Sequence, residues 1–195
     1  MATISKAVIV EAGLNLCQGD VFQNVRYSYI NDEDDESVEI VEYTFPMAII
    51  ISQACDVNSM SEMISEKNGK TTKFMPSLLL CPIYGKDEAK DNKHINVAFS
   101  QLNISNMDAK DEKLFSSKEF DVVKNDWHYR FHSLTVSIED TKVLENAVID
   151  FKHYFCVPAT YLHKHRKQRI FRLDSLFAEQ ITLKFATYLS RVAIP

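Results

Sequence analysis

Apolar and polar positions alternate through much of the first third of the chain. Val21–Ile30 intersperses Val, Phe and Tyr with polar residues, and Val38–Thr44 sets Val38, Ile40 and Val41 against Glu39 and Glu42. That period of about two residues belongs to half-buried strands. Ala48–Ser52 is a short, almost wholly apolar run, as in a strand covered on both faces, with Pro46 just before it where a missing N–H does least harm. Ser77–Tyr84 repeats the apolar pattern and stops at Gly85, while Tyr129–Ile138 and Ala147–Val157 return to strand composition. Helical spacing is predicted over Ser59–Lys67, over Lys110–Asn125 and most clearly over 173–193. In that last segment Phe177, Ile181, Phe185, Tyr188, Leu189 and Val192 recur at three- and four-residue steps behind Asp174, a good N-cap. Lys86–Asn96 reads as loop.

These elements predict a mainly β chain with helices, an α+β fold. Residues 18–157 form its sheet, insertions fall around 57–75 and 86–126, and an amphipathic helix follows, all within one domain over 1–195. A low Gly and Pro content (4 and 5 of 195 residues) argues against linker-like or low-complexity disorder. The longest apolar run, Met47–Ile51, falls far short of the ~20 residues of a membrane helix. The N-terminus also lacks a signal-peptide pattern, so a cytoplasmic protein with no membrane association is expected.

Charge and cysteines narrow the chemistry. With 22 basic and 27 acidic residues the net charge is −5, unlike a domain that is basic throughout for nucleic acid. Cysteines at 17, 55, 81 and 156 form no CxxC pair, so no zinc motif, metal site or cofactor is indicated. Asn31–Glu36, with five acids in a row, reads as a solvated hairpin tip. His128 and His132 would share a face if their segment were a strand, although no metalloprotease pattern accompanies them.

Gln18-Gly19-Asp20-Val21-Phe22, Phe45–Ser52 and Leu79-Leu80-Cys81-Pro82-Ile83 resemble the framework of the MazF/PemK toxin family over residues ~18–84. The resemblance implies a small SH3-like β-barrel and a place in a bacterial toxin–antitoxin or phage-defence system. Members of that family cut RNA without metal, using an Arg before the strand Pro and a Thr after Pro-Ile. This chain has Phe45 and Tyr84 at those positions, so the cation that would stabilise a pentavalent phosphate is missing. The chain is also similar to uncharacterised bacterial proteins with a Ser-Gln-x-Cys-Asp strand end, here Ser52-Gln53-Ala54-Cys55-Asp56, and an Arg-Val…Pro terminus, here Arg191–Pro195.

Two sets of residues stand out as candidates. Gln53, Cys55 and Asp56 lie where an apolar strand leaves the core, and with Arg26 or Arg130 they would supply an amide, a thiol, a carboxylate and a cation for a re-invented nuclease site. The same residues serve a bland role equally well, with Asp56 capping the following helix. Lys164, Arg166, Lys167, Arg169 and Arg172, flanked by Tyr161 and Phe171, could bind phosphates and bases or form a solvated turn. The favoured expectation is an interaction or regulatory component with a protein partner from the same operon. A nuclease and a non-catalytic RNA- or DNA-binding module are the alternatives, and homodimerisation stays open.

Overall fold

The structure is a computed structural model that describes residues 4–11, 13, 15–34, 37–66, 74–90 and 117–191. Eight strands form one mixed sheet: β1 (Ile4–Val8), β2 (Asp20–Asp34), β3 (Ser37–Ile50), β4 (Ser77–Gly85), β5 (Phe131–Ile138), β6 (Thr141–Asp150), β7 (Phe155–Pro158) and β8 (Arg169–Leu173). Their order is β3-β2-β8-β1-β5-β6-β4-β7, and a further β3–β4 pairing closes the strands into a barrel-like ring. Only β1 and β5 run parallel; the other pairings are antiparallel. Five helices accompany the sheet among the described residues: α1 (Ala54–Glu66), α2 (Lys86–Lys90), α3 (Ser117–Lys124), α4 (Ala159–Lys164) and α5 (Ser175–Leu189). The α+β expectation therefore holds.

Both faces of the sheet are covered, as the apolar strands require. Ile49, Cys81, Ile83, Leu134, Val136, Ala147, Ile149, Phe171 and Leu173 pack with Ala178, Ile181 and Phe185 of α5. Alternate residues on the same strands, including Ala48, Ile50, Leu78, Leu80 and Val148, pack with Val57 and Met60 of α1, Ala89 of α2, Phe120 and Val123 of α3, and Ala159 and Leu162 of α4. Asp174 caps α5 by accepting a hydrogen bond from the Leu176 N–H. At Gly19 the backbone is left-handed (φ +82°), and an added Cβ would lie 2.7 Å from the Ala178 Cβ. Glycine there allows α5 to approach the start of β2.

Several boundaries differ from those the pattern predicts. Val38–Thr44 and the first three residues of the Ala48–Ser52 run belong to one strand, β3, which passes through Pro46 and ends at Ile50. The ladder accommodates the proline because Asn24, between the pairs Val25↔Phe45 and Gln23↔Met47, takes no part in it and sits at φ +53°. The register stays in step across this unpaired position, yet the alternation shifts, so that Phe22 and Val25, and likewise Phe45 and Ala48, face one core. The run 147–157 is broken by a tight turn at Phe151–His153 that separates β6 from β7. The basic run after Tyr161 is the end of α4, a helical turn and β8 rather than a loop. Residues 86–90 are helical, and α3 spans only 117–124. Residues 91–96 and 110–116 of those two predicted segments, and the acidic residues Asp35 and Glu36, lie outside the described residues.

Candidate functional site: an aromatic and cationic cleft beside the last helix

The residues singled out at the strand exit form the beginning of a helix. The Gln53 carbonyl accepts hydrogen bonds from the Asp56 and Val57 N–H groups at 3.2 and 3.1 Å, so Cys55 and Asp56 are in the first turn of α1 rather than on a strand face. All three side chains are exposed, with the Cys55 Sγ 3.9 Å from the Gln53 Oε1 and 3.7 Å from the Asp56 Oδ1. Arg26 is elsewhere. It pairs with Thr44, five residues along β2 from Val21, whose partner Ile49 adjoins the strand exit. At ~3.3 Å per residue that is roughly 16 Å. The Arg26 side chain is exposed, and its backbone N–H donates to the Tyr161 hydroxyl at 3.1 Å.

The basic run divides by burial. Lys164 and Lys167 are exposed, while Arg166 donates to the His163 carbonyl at 3.0 Å. The Nδ1 of His163 is buried without a hydrogen-bond partner, and burial together with the Arg166 charge lowers its pKa. Arg169 and Arg172 turn to Asp20, which is fully buried. Arg169 Nη1 lies 2.9 Å from Asp20 Oδ2, and Arg172 Nε lies 2.6 Å from Asp20 Oδ1. Arg169 also donates to the Asn15 and Glu11 carbonyls at 3.0 and 2.7 Å, Arg172 donates to the Asn15 carbonyl at 2.7 Å, and the Cys17 N–H donates to Asp20. These two arginines fasten the segment that leads into β2. Phe171, once a stacking candidate, is core.

A different place gathers exposed functional groups. The chain after α3 ends in a Schellman turn: the Trp127 N–H donates to the Val122 carbonyl, the Asp126 N–H to the Val123 carbonyl, and Asp126 takes φ +64°. Glycine is usual at that position. Here the carboxylate of Asp126 binds Lys184 of α5 and, at 2.6 Å, His132 of β5. Burial would raise the Asp126 pKa, but hydrogen bonds and charge from His132 and then Lys184 pull it below the usual carboxylate range. Burial in turn lowers the Lys184 pKa against the pull of Asp126.

The next turn is held as firmly. His128 Nδ1 accepts the Arg130 and Phe131 N–H groups, both at 3.1 Å, so that nitrogen carries no proton. Arg130 points inward and grips buried Asp150 with two hydrogen bonds of 2.8 and 2.7 Å. Asp150 also takes His153 at 2.9 Å. With Arg130 anchored inside, Trp127 is 80% exposed and Tyr129 52% exposed. The Tyr129 ring stacks with His128 at 5.0 Å and 13°, and it also carries the Arg191 guanidinium 4.0 Å from its centroid. These residues, with Gln180, Leu183, Thr187 and Tyr188 of α5, line a cleft of about 590 Å³. A volume between roughly 300 and 1,000 Å³ suits a small ligand. No carboxylate pairs with Arg191 among the described residues.

His128 and His132 thus do not share a strand face, since His128 precedes β5. Among the described residues no group of three or more His, Cys, Asp or Glu could hold a metal ion, and no helix is long and apolar enough to cross a membrane. All four cysteines are free. The one sequence signal for the cleft is the chain's single Trp in a polar setting, Asn125-Asp126-Trp127-His128. No family model, curated protein or solved structure matches the chain.

Proposed function

We propose that this chain is an interaction or regulatory component of a bacterial toxin or phage-defence type system, built on an SH3-like barrel of the MazF type and working by binding. The observation that carries the reading is the cleft between the Trp127–Tyr129 turn and α5. It presents an exposed indole and an exposed guanidinium beside a turn whose backbone is held by hydrogen bonds and ion pairs on both sides. Such a surface is organised for recognition before any ligand arrives.

The nuclease alternative draws less support. Gln53, Cys55 and Asp56 open a helix, Arg26 stands well away along β2, and Phe45 and Tyr84 are core residues with 7% and 3% exposure. Phe45 stacks on Phe155 with centroids 4.0 Å apart, and burial raises the Tyr84 pKa, keeping it a neutral phenol. The test is metal-free incubation of a mixed-sequence RNA with the protein and with its Gln53→Ala/Cys55→Ala/Asp56→Ala variant. RNA left intact by both is the expected result. Cleavage by the parent protein, lost in the variant, would replace the binding reading with an enzyme whose site is the start of α1.

A further inference from the structure

We propose that the cleft beside α5 is a nucleoside-phosphate site, with the base stacked on Trp127 and the phosphate held by Arg191; this rests on the cleft being the recognition surface. The argument starts from what each wall offers. An indole left 80% exposed in a chain with one Trp provides a flat apolar face, and its neighbours do not cover it. Planar heterocycles stack on such faces whatever their edge pattern.

Arg191 supplies the second half. Its guanidinium rests on the Tyr129 ring, which fixes the plane without using the N–H donors. Those donors match two phosphate oxygens, a geometry a lysine cannot reproduce. The other cation, Lys184, is committed: it binds the Asp126 carboxylate and lies 3.1 Å from the Asp126 carbonyl. Lys184 therefore neutralises Asp126, to which His132 is also hydrogen-bonded, and removes the repulsion a bare carboxylate would exert on an anion. Gln180 and Thr187 line the same wall and can meet a ribose. A purely apolar ligand would leave Arg191 desolvated and unpaired, and a simple inorganic anion would leave Trp127 unused.

Free nucleotides and the phosphorylated end of a nucleic-acid strand share this chemistry, and one experiment separates them. The full-length protein is titrated with adenosine 5′-monophosphate, adenosine, inorganic phosphate and a 5′-phosphorylated oligoadenylate. The readouts are the single indole N–H resonance and calorimetry. The mononucleotide should move the indole resonance, and adenosine and phosphate should each bind at least about tenfold more weakly. Trp127→Ala and Arg191→Ala, both at exposed positions, should each weaken nucleotide binding roughly tenfold while leaving the amide spectrum of the sheet unchanged. Equal affinity for oligoadenylate and mononucleotide assigns a free nucleotide, and tighter oligoadenylate binding assigns a strand end.

No movement of the indole resonance at millimolar nucleotide overturns the inference, as does unaltered affinity in both variants. If that happens while RNA stays intact, the binding reading survives without this ligand. If instead the bound nucleotide is converted to product, the site stands and the non-catalytic reading falls.

Discussion

Asp20 and Asp126 each hold two basic side chains, yet they do opposite work. Asp20 is fully buried, and its partners Arg169 and Arg172 also donate to the Glu11 and Asn15 carbonyls. Asp126 is half exposed at the edge of a cleft, and its partners Lys184 and His132 leave the Trp127 indole and the Arg191 guanidinium facing solvent. Counting charges along the chain cannot separate the two cases. What separates them is whether the donors left after the ion pair end on backbone or on open space. The first arrangement closes a fold, while the second leaves room for a ligand.

The strongest way to test that contrast is to remove the buried carboxylate. Asp20→Ala leaves the Arg169 and Arg172 guanidiniums without their counter-charge, and a broken buried pair costs about 3–5 kcal/mol. Urea denaturation should show a loss of that size, and a loss under about 1 kcal/mol would mean Asp20 behaves like a surface pair. A second substitution acts on the same junction without touching charge. Gly19→Ala places a Cβ 2.7 Å from that of Ala178 and demands φ +82° of an L-residue. Strain and crowding together should lower stability by about 2–4 kcal/mol. Unchanged stability would show that α5 is not held against the start of β2.

Sequence pattern reaches the first arrangement better than the second. The helix capped by Asp174, the apolar strands β3 and β4 and the α+β class all follow from local periodicity, because burial of one face imposes its period directly. Pro46 in mid-strand escapes that logic, since the unpaired, left-handed position that tolerates it lies across the ladder at Asn24. The strand exit misleads for a related reason: a strand that stops at Ile50 lets Gln53 start a helix three residues later. Arg169 and Arg172 sit in a run that reads as a solvated charge cluster, and only the register Asp20↔Arg172 shows their destination. The cleft depends on the Trp127–Tyr129 turn meeting Arg191 just past the end of α5, a tertiary event with no local pattern.

At the cleft edge the same kind of substitution should cost far less. Asp126→Gly removes the carboxylate but relieves a left-handed backbone, so the net change should stay within about 1 kcal/mol. A loss comparable to that of Asp20→Ala would erase the distinction between the two sites. Acidification tests the same point reversibly. Because the folded Asp126 pKa is depressed, the stability it contributes is complete above the unfolded value, near pH 4. That contribution fades as pH falls through the lower folded value, where the proton displaces Lys184 and His132. The carboxyl resonance of Asp126 should titrate below the ordinary range, and a midpoint at or above it would mean the ion pairs are not formed in solution.

The smallest stability effect should come from the residue with the greatest role in recognition. Trp127 is 80% exposed, so Trp127→Ala removes little burial and should leave unfolding within about 0.5 kcal/mol of the parent. Its backbone N–H, which closes the Schellman turn on Val122, survives the substitution. An aromatic side chain held outward by a turn that does not need its ring has little structural reason to be so large. If thermal unfolding instead shows a loss of 2 kcal/mol or more, comparable to deleting a core side chain, the indole is packing in solution. The cleft would then be a closed surface, and the contrast with Asp20 would reduce to two versions of one structural device.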